Sequence, residues 1–275
     1  MMNSKKTILA LLCLIVAAGA HAIREYNVPT SNLPVPAVVS VSVPDGYSDL
    51  TSKNYPVVYL LNGHGGDNNS WNSFSNLDSL ATVYQVIFVC PSGLNSWYFD
   101  SPVNSKMKME SYIVNDLVPW VDKNFSTIRD RSQRAITGLS MGGHGALWLA
   151  IRHSDIFGNA GSTSGGVDFR KWPDRWNLDE ALGKYDSHAM NWNTHTVMSQ
   201  VPMLTPGQIN IIFDCGTEDF FFKVNKALDK ALRARKIPHV FNTSKGAHTP
   251  SYWKKSIIPQ LEFFSTKFKE AQIEE

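Results

Sequence analysis

Short apolar runs alternate with amphipathic stretches along most of the chain, the pattern of a largely parallel sheet wrapped by helices. Residues 37–43 alternate apolar and polar at period two, as a half-buried strand does. Residues 56–61 and 85–90 are nearly all apolar, as strands covered on both faces are. Further strands are expected over 134–139, 160–164, 209–213 and 239–242. A helix is expected over 111–125, where Ile113, Val114, Leu117, Val118, Val121 and Phe125 fall at helical spacing. Pro119 within it should force a kink or a local adjustment. Helices should also cover 141–153, 256–269 and 223–235, the last with a basic end that suits the helix dipole.

Two segments break this alternation. Residues 167–206 show no strong strand and are rich in large side chains, among them Trp172, Trp176 and Trp192. So long an insertion is either a lid or binding loop or a plain helical excursion on the sheet, and the pattern does not separate the two. Residues 1–22 read as a secretory signal peptide. Lys5 and Lys6 precede a mostly apolar stretch over 7–19, and Ala20-His21-Ala22 fits the small-x-small cleavage rule. That apolar run, about 13 residues, is well short of the roughly 20 needed to cross a bilayer. The expected organisation is a signal peptide over 1–22 and one α/β domain over 23–275. The protein is expected to be secreted or periplasmic, without stable membrane insertion after cleavage.

Composition narrows the function classes. At 43% hydrophobic and 18% charged, the chain is not a disordered one. Lys and Arg number 26 against 24 Asp and Glu, and cleavage after Ala22 would remove Lys5, Lys6 and no acid. No basic face for nucleic acid is implied. The histidines form no H-E-x-x-H and there is no Cys-x-x-Cys, so neither metal nor cofactor is expected.

The chemistry centres on Gly138-Leu139-Ser140-Met141-Gly142, a G-x-S-x-G where a predicted strand meets a predicted helix. The tight turn demands small flanking residues, and the helix N-terminus favours negative charge. A serine hydroxyl there is a nucleophile candidate that needs a base oriented by an acid. In this architecture the acid and then the histidine follow the serine in chain order. His144 and His153 come too early, His188 and His195 fall in the insertion, and His239 begins a strand. His248, in a loop after the last strand, is the expected base. Asp214, Glu218 and Asp219 compete for the acid. Asp214 sits at a strand end, where it could hold the loop, and Asp219 lies far enough out to turn back toward the histidine, so Asp219 is the expected acid. Oxyanion donors are expected from the backbone of Met141 and of the turn Gly63-His64-Gly65-Gly66, with His64 preferred over Gly63 and Gly65.

Three segments, Gly138 to Gly143, Cys215-Gly216-Thr217-Glu218-Asp219-Phe220 and Gly246-Ala247-His248 to Tyr252-Trp253, resemble the Putative esterase family of α/β-hydrolases. That family contains esterase D (S-formylglutathione hydrolase), tributyrin esterase, feruloyl esterases and mycolyltransferases. Leu60 to Trp71 and Asn95 to Pro102 resemble two further blocks, so the likeness covers nearly the whole mature chain. It implies an α/β-hydrolase fold with a mostly parallel central sheet, metal-free serine ester hydrolysis, a Ser140, Asp219, His248 triad and oxyanion donors from His64 and Met141. One departure is Asn62, where many relatives carry His. If the sheet is ordered as in that fold, Cys90 and Cys215 lie strands apart and stay free thiols, since a disulfide needs Cα atoms within roughly 7 Å.

The resemblance and the aromatic content point to a secreted carboxylic-ester hydrolase. Trp97, Tyr98 and Trp253, with the tryptophans of the insertion, are candidates for an aromatic cleft. The expected partner is a small-molecule or carbohydrate ester bearing feruloyl, acetyl or another short acyl group. The alternatives are an acyltransferase on the same triad and a non-catalytic carbohydrate-binding protein on a hydrolase scaffold.

Overall fold

A computed structural model describes residues 23–48 and 52–273. The signal peptide expected over 1–22 lies outside the described residues. Eight strands form one sheet: β1 (Arg24–Val28), β2 (Ala37–Ser42), β3 (Val57–Leu61), β4 (Ile87–Pro91), β5 (Arg134–Gly138), β6 (Asn159–Thr163), β7 (Asn210–Gly216) and β8 (Val240–Ser244). Their order is β1-β2-β4-β3-β5-β6-β7-β8. The pairs β1·β2 and β2·β4 are antiparallel, and every pair from β4 to β8 is parallel.

The centre of the sheet follows from the apolar runs. Every residue of β3, β4, β5 and β6 is buried, because helices cover both faces of the parallel part. One face carries α2 (Met141–Arg152) and α3 (Phe222–Ala234). The other carries α1 (Leu77–Tyr84) and α4 (Pro250–Ile273), whose Ile257, Leu261, Phe264 and Phe268 enter a second apolar cluster.

Three expectations change. Strand β2 is not half-buried: Ser40 and Ser42 are as buried as Val39 and Val41 beside them. Their hydroxyls are satisfied inside the protein, Ser40 by Asn68 and Asn69 and Ser42 by Asp78, so polar side chains stand on a covered face at little cost. Helix α4 begins at Pro250 rather than 256, with the proline in the first turn, where its missing N–H is harmless. Strands β1 and helix α1 carried too little periodicity to be read from sequence. Around Pro119 the local adjustment takes a definite form: Tyr112–Leu117 is a π-helical turn, and Val118–Asn124 resumes as α-helix with the proline in its first turn.

Cys90 in β4 and Cys215 in β7 are free and buried, with β3, β5 and β6 between their strands. Burial raises the pKa of both thiols well above the usual range.

The insertion is helical, with short helices over Leu178–Leu182, Tyr185–Thr194 and Val197–Gln200. Trp192 and Phe169 are fully buried beneath it and join the main core. Trp172 and Trp176 remain half-buried at its edge. The segment is therefore a packed excursion over most of its length, with one aromatic edge turned toward the ends of the parallel strands.

Candidate active site

The carboxyl ends of β3, β5, β7 and β8 converge, and each delivers one part of the site. Strand β5 ends at Gly138, and the chain turns through Leu139 and Ser140 into α2. Ser140 has φ 56° and ψ −116°, a positive-φ backbone that a residue with a Cβ adopts only under constraint. The constraint is packing. A Cβ on Gly142 would collide with the carbonyl of Leu61 and crowd that of Asn62, and one on Gly138 would run into the backbone of Gly142. Ser140 N–H donates to Thr163 O at 3.0 Å, which fixes the turn against β6. Gly142→Ala is expected to destabilise the fold by about 1–3 kcal/mol, the cost of overpacking against backbone that cannot move. A urea midpoint that stays at the wild-type value would contradict this account of the turn.

Ser140 Oγ lies 2.9 Å from His248 Nε2, and His248 Nδ1 lies 2.8 Å from Asp219 Oδ2. The Asp219 carboxylate is buried and its other oxygen accepts the N–H of Phe221 at 2.8 Å. With the carboxylate accepting at Nδ1, the Nδ1–H tautomer is set, and Nε2 is left to accept from the serine hydroxyl. The loops carrying acid and histidine are clasped together: Thr217 N–H donates to Ser244 O and Glu218 N–H to Gly246 O, both at 2.9 Å. Of the other acid candidates, Glu218 points outward, 4.0 Å from Lys245. Asp214 lies inside β7, which runs three residues further than its apolar pattern. Among the histidines set aside, His144 is buried with its nitrogens 3.0 Å from Trp97 O and 2.9 Å from His195 O. Burial pushes its pKa down to about 4, although the hydrogen bonds to both carbonyl oxygens pull the other way.

The turn after β3 faces Ser140. Gly65 N–H is taken by Asn95 Oδ1 at 2.6 Å and Gly66 N–H by Gly63 O at 3.1 Å. Among the described residues, the N–H groups of His64 and Met141 meet no acceptor, the condition for binding an oxyanion. The His64 ring donates from Nε2 to Asn177 Oδ1 at 2.8 Å, tying this turn to the insertion. Asn62, the departure from the family pattern, is buried beneath the turn: its amide donates to Gly63 O and its Oδ1 accepts Gly93 N–H.

A cleft of about 490 Å³ opens over Ser140. Trp176 and Phe220 form one wall, stacked at 5.7 Å and 19°, and Phe74 with Trp253 the other. The His248 ring sits between them, 4.4 Å from Phe220 and 5.0 Å from Trp253. Trp253 thus lines the cleft as expected from the sequence, but Trp97 and Tyr98 do not. They are 1% and 0% exposed, because left-handed backbone at both (φ 57° and 64°) accompanies a loop folded into the core. Tyr98 OH reaches Asn62 under the oxyanion turn, and Trp97 Nε1 donates to Trp176 O at 3.2 Å. Both support the cleft from below. Phe74 and Phe220 escaped the sequence reading. Phe220 directly follows Asp219, a signal by adjacency, whereas nothing in the sequence around Phe74 marks it.

Among the described residues, no group of three or more His, Cys, Asp and Glu could hold a metal ion, and no helix is long and apolar enough to cross a membrane.

Residues 31–264 match the family model described as Putative esterase. An esterase of Mycobacterium tuberculosis (strain CDC 1551 / Oshkosh) is 33% identical over 150 residues, which is 53% of this chain; the chain spans 33% of that protein's length. An acetyl esterase of Caldicellulosiruptor saccharolyticus is 27% identical over 248 residues, covering 85% of this chain and 93% of its own. Among solved structures, a ferulic acid esterase superposes with a TM-score of 0.78 at 26% identity, covering 90% of this chain and 98% of its own.

Proposed function

Given that the chain belongs to the Putative esterase family and has the α/β-hydrolase fold, we propose that it is a secreted serine hydrolase of acetyl, feruloyl or other short acyl esters, some of them carried on carbohydrate. The observation that carries the reading is the continuous hydrogen-bonded line from Asp219 through His248 to Ser140 at the floor of an aromatic cleft.

Ser140 Oγ attacks the ester carbonyl as His248 Nε2 takes its proton. The new imidazolium is held by the Asp219 carboxylate. The carbonyl oxygen, now an anion, is met by the N–H groups of His64 and Met141. Collapse breaks the ester bond. The departing alcohol takes the proton from His248 and leaves an acyl group on Ser140, and a water activated by the same histidine releases the acid. The aromatic walls favour a flat or apolar acyl group, and their open mouth admits a bulky alcohol. The acetyl esterase and ferulic acid esterase similarities support both acyl classes. Export follows from the signal-peptide reading of residues 1–22.

The test is hydrolysis of p-nitrophenyl acetate, p-nitrophenyl butyrate and methyl ferulate, with release of the free acid measured. The expected result is turnover of at least one, with Trp176→Ala raising KM for methyl ferulate about 10-fold and for acetate much less, as loss of a stacking wall requires. Correctly folded protein that turns over none of them, but transfers acyl groups to an added alcohol, would replace the hydrolase with an acyltransferase on the same residues. Equal KM changes for both acyl groups would remove Trp176 from the acyl site.

A further inference from the structure

Asp214 is a buried carboxyl that the chemistry above leaves unused. It is 4% exposed, in the part of β7 that runs beyond the apolar pattern. Its Oδ1 lies 2.6 Å from Thr163 Oγ1, and its Oδ2 accepts Gln260 Nε2–H at 2.6 Å. Tyr252 and Ser256, from α4, line the same cavity as Asp214. These partners lead to opposite sides of the site. Thr163 is the residue whose carbonyl receives the Ser140 N–H, and Asp214 O receives the N–H of Ser164 at 2.8 Å. The Tyr252 ring lies where a Cβ on Gly246 would fall, so it backs the loop that carries His248. Helix α4 is fastened to the same point, since Gln260 Oε1 accepts the Thr137 hydroxyl at 2.5 Å.

We propose that Asp214 is a positioning residue of the catalytic site, acting through Thr163 on the Ser140 turn and through Tyr252 on the His248 loop. This rests on the assignment of Ser140 and His248 as nucleophile and base. Thr163 Oγ1 stands between Asp214 Oδ1 and Ser256 Oγ, at 2.6 and 2.5 Å; its hydroxyl donates to Oδ1, and Gln260 Nε2–H donates to Oδ2. Burial pushes the carboxyl up from the ordinary aspartate range to about 7, against the pull of these hydrogen bonds. A protonated carboxyl can donate to Thr163, whose hydroxyl then turns to Ser256. The titratable groups around it are Cys215 on its own strand and Tyr252 from α4, with Lys245 and Lys255 lining the adjoining cavity of about 430 Å³. The folded carboxyl keeps its proton to about 7, whereas an unfolded one releases it near 4. The stability it contributes is therefore complete below about pH 4 and lost as pH rises through 7.

An Asn side chain reproduces the bonds of the neutral acid, with its oxygen toward Gln260 and its amide toward Thr163. The experiment compares Asp214→Asn, Asp214→Ala and Thr163→Val on the most active p-nitrophenyl ester, with sites counted by stoichiometric fluorophosphonate labelling. Asp214→Ala should lower kcat about 10-fold or more with KM within about twofold, because misplacing the reacting groups by a fraction of an ångström costs that much. Asp214→Asn should recover to within about threefold of wild type, and its rate relative to wild type should rise between pH 6 and 9, where only the native carboxyl ionises. Thr163→Val, which removes the hydroxyl that joins Asp214 to this turn without enlarging the cavity, should show the same kcat-only loss if Asp214→Ala does not fold. The proposal is overturned if folded Asp214→Ala or Thr163→Val keeps the wild-type kcat, if the loss lies in KM, or if Asp214→Asn is as impaired as Asp214→Ala. Wild-type protein with no Ser140-dependent turnover would overturn the esterase-site assignment itself, and this inference with it. An active wild type with unaffected variants overturns this inference alone.

Discussion

Ser140→Ala is expected to reduce kcat on p-nitrophenyl acetate by at least about 10⁴-fold while leaving the folded protein intact. The size follows from the chemistry: without Oγ no acyl-enzyme can form, and what remains is water attacking an ester held by the oxyanion donors. The fold should survive because Ala keeps the Cβ that the turn already accommodates at φ 56°. It deletes only a hydroxyl, whose partner among the described residues is His248. Stability should stay within about 1 kcal/mol of wild type. Burst kinetics should vanish with the turnover, since no covalent intermediate accumulates. Residual activity within 100-fold of wild type, in protein freed of contaminating esterase, would mean that another group attacks the ester and that Ser140 is a structural capping residue.

What was legible in the sequence divides along physical lines. The central strands were readable because burial on both faces writes an uninterrupted apolar run, as in Val57 to Leu61 and Ile87 to Cys90. The turn around Ser140 was readable because its tightness restricts which residues fit: Gly138 and Gly142 touch backbone that tolerates no side chain. Chain order after the parallel strands singled out His248 and Asp219, the two side chains that stand in line with Ser140. The misplaced residues depended on which way a loop turns. Trp97 and Tyr98 stand in a loop with four left-handed non-glycine residues, Leu94, Asn95, Trp97 and Tyr98, and no local pattern announces that conformation. Phe74 reaches the cleft only through its tertiary packing against Trp71 and Trp253. Ser40 and Ser42 looked like a solvent face because period two reports polarity, whereas their burial depends on partners nearly thirty or more residues away. The end of β7 was hidden because its last residues, Asp214, Cys215 and Gly216, are poor strand formers or small, although paired with β8.

Asp219→Asn carries the second large expectation, a kcat loss of about 10³–10⁴-fold with little change in KM. The direction comes from a contact on the far side of the carboxylate. Phe221 N–H donates to Asp219 Oδ1, so an asparagine must keep its oxygen there. Its amide would then face His248 Nδ1, where the carboxylate oxygen now stands. Two donors cannot face each other, so the imidazole must place its proton on Nε2 instead. A protonated Nε2 toward Ser140 cannot accept the hydroxyl proton, and the base is lost although every heavy atom remains in place. Raising the pH does not repair a wrong tautomer, so the deficit should persist across the neutral range. Glu218→Gln is the companion measurement: it removes the adjacent charge, which reaches only Lys245 at 4.0 Å, and should leave kcat within about twofold. The reverse outcome, a large loss at Glu218 with Asp219→Asn near wild type, would move the acid one residue back along the loop. It would also require the His248 loop to sit differently in solution, since among the described residues the carboxylate against His248 Nδ1 is that of Asp219.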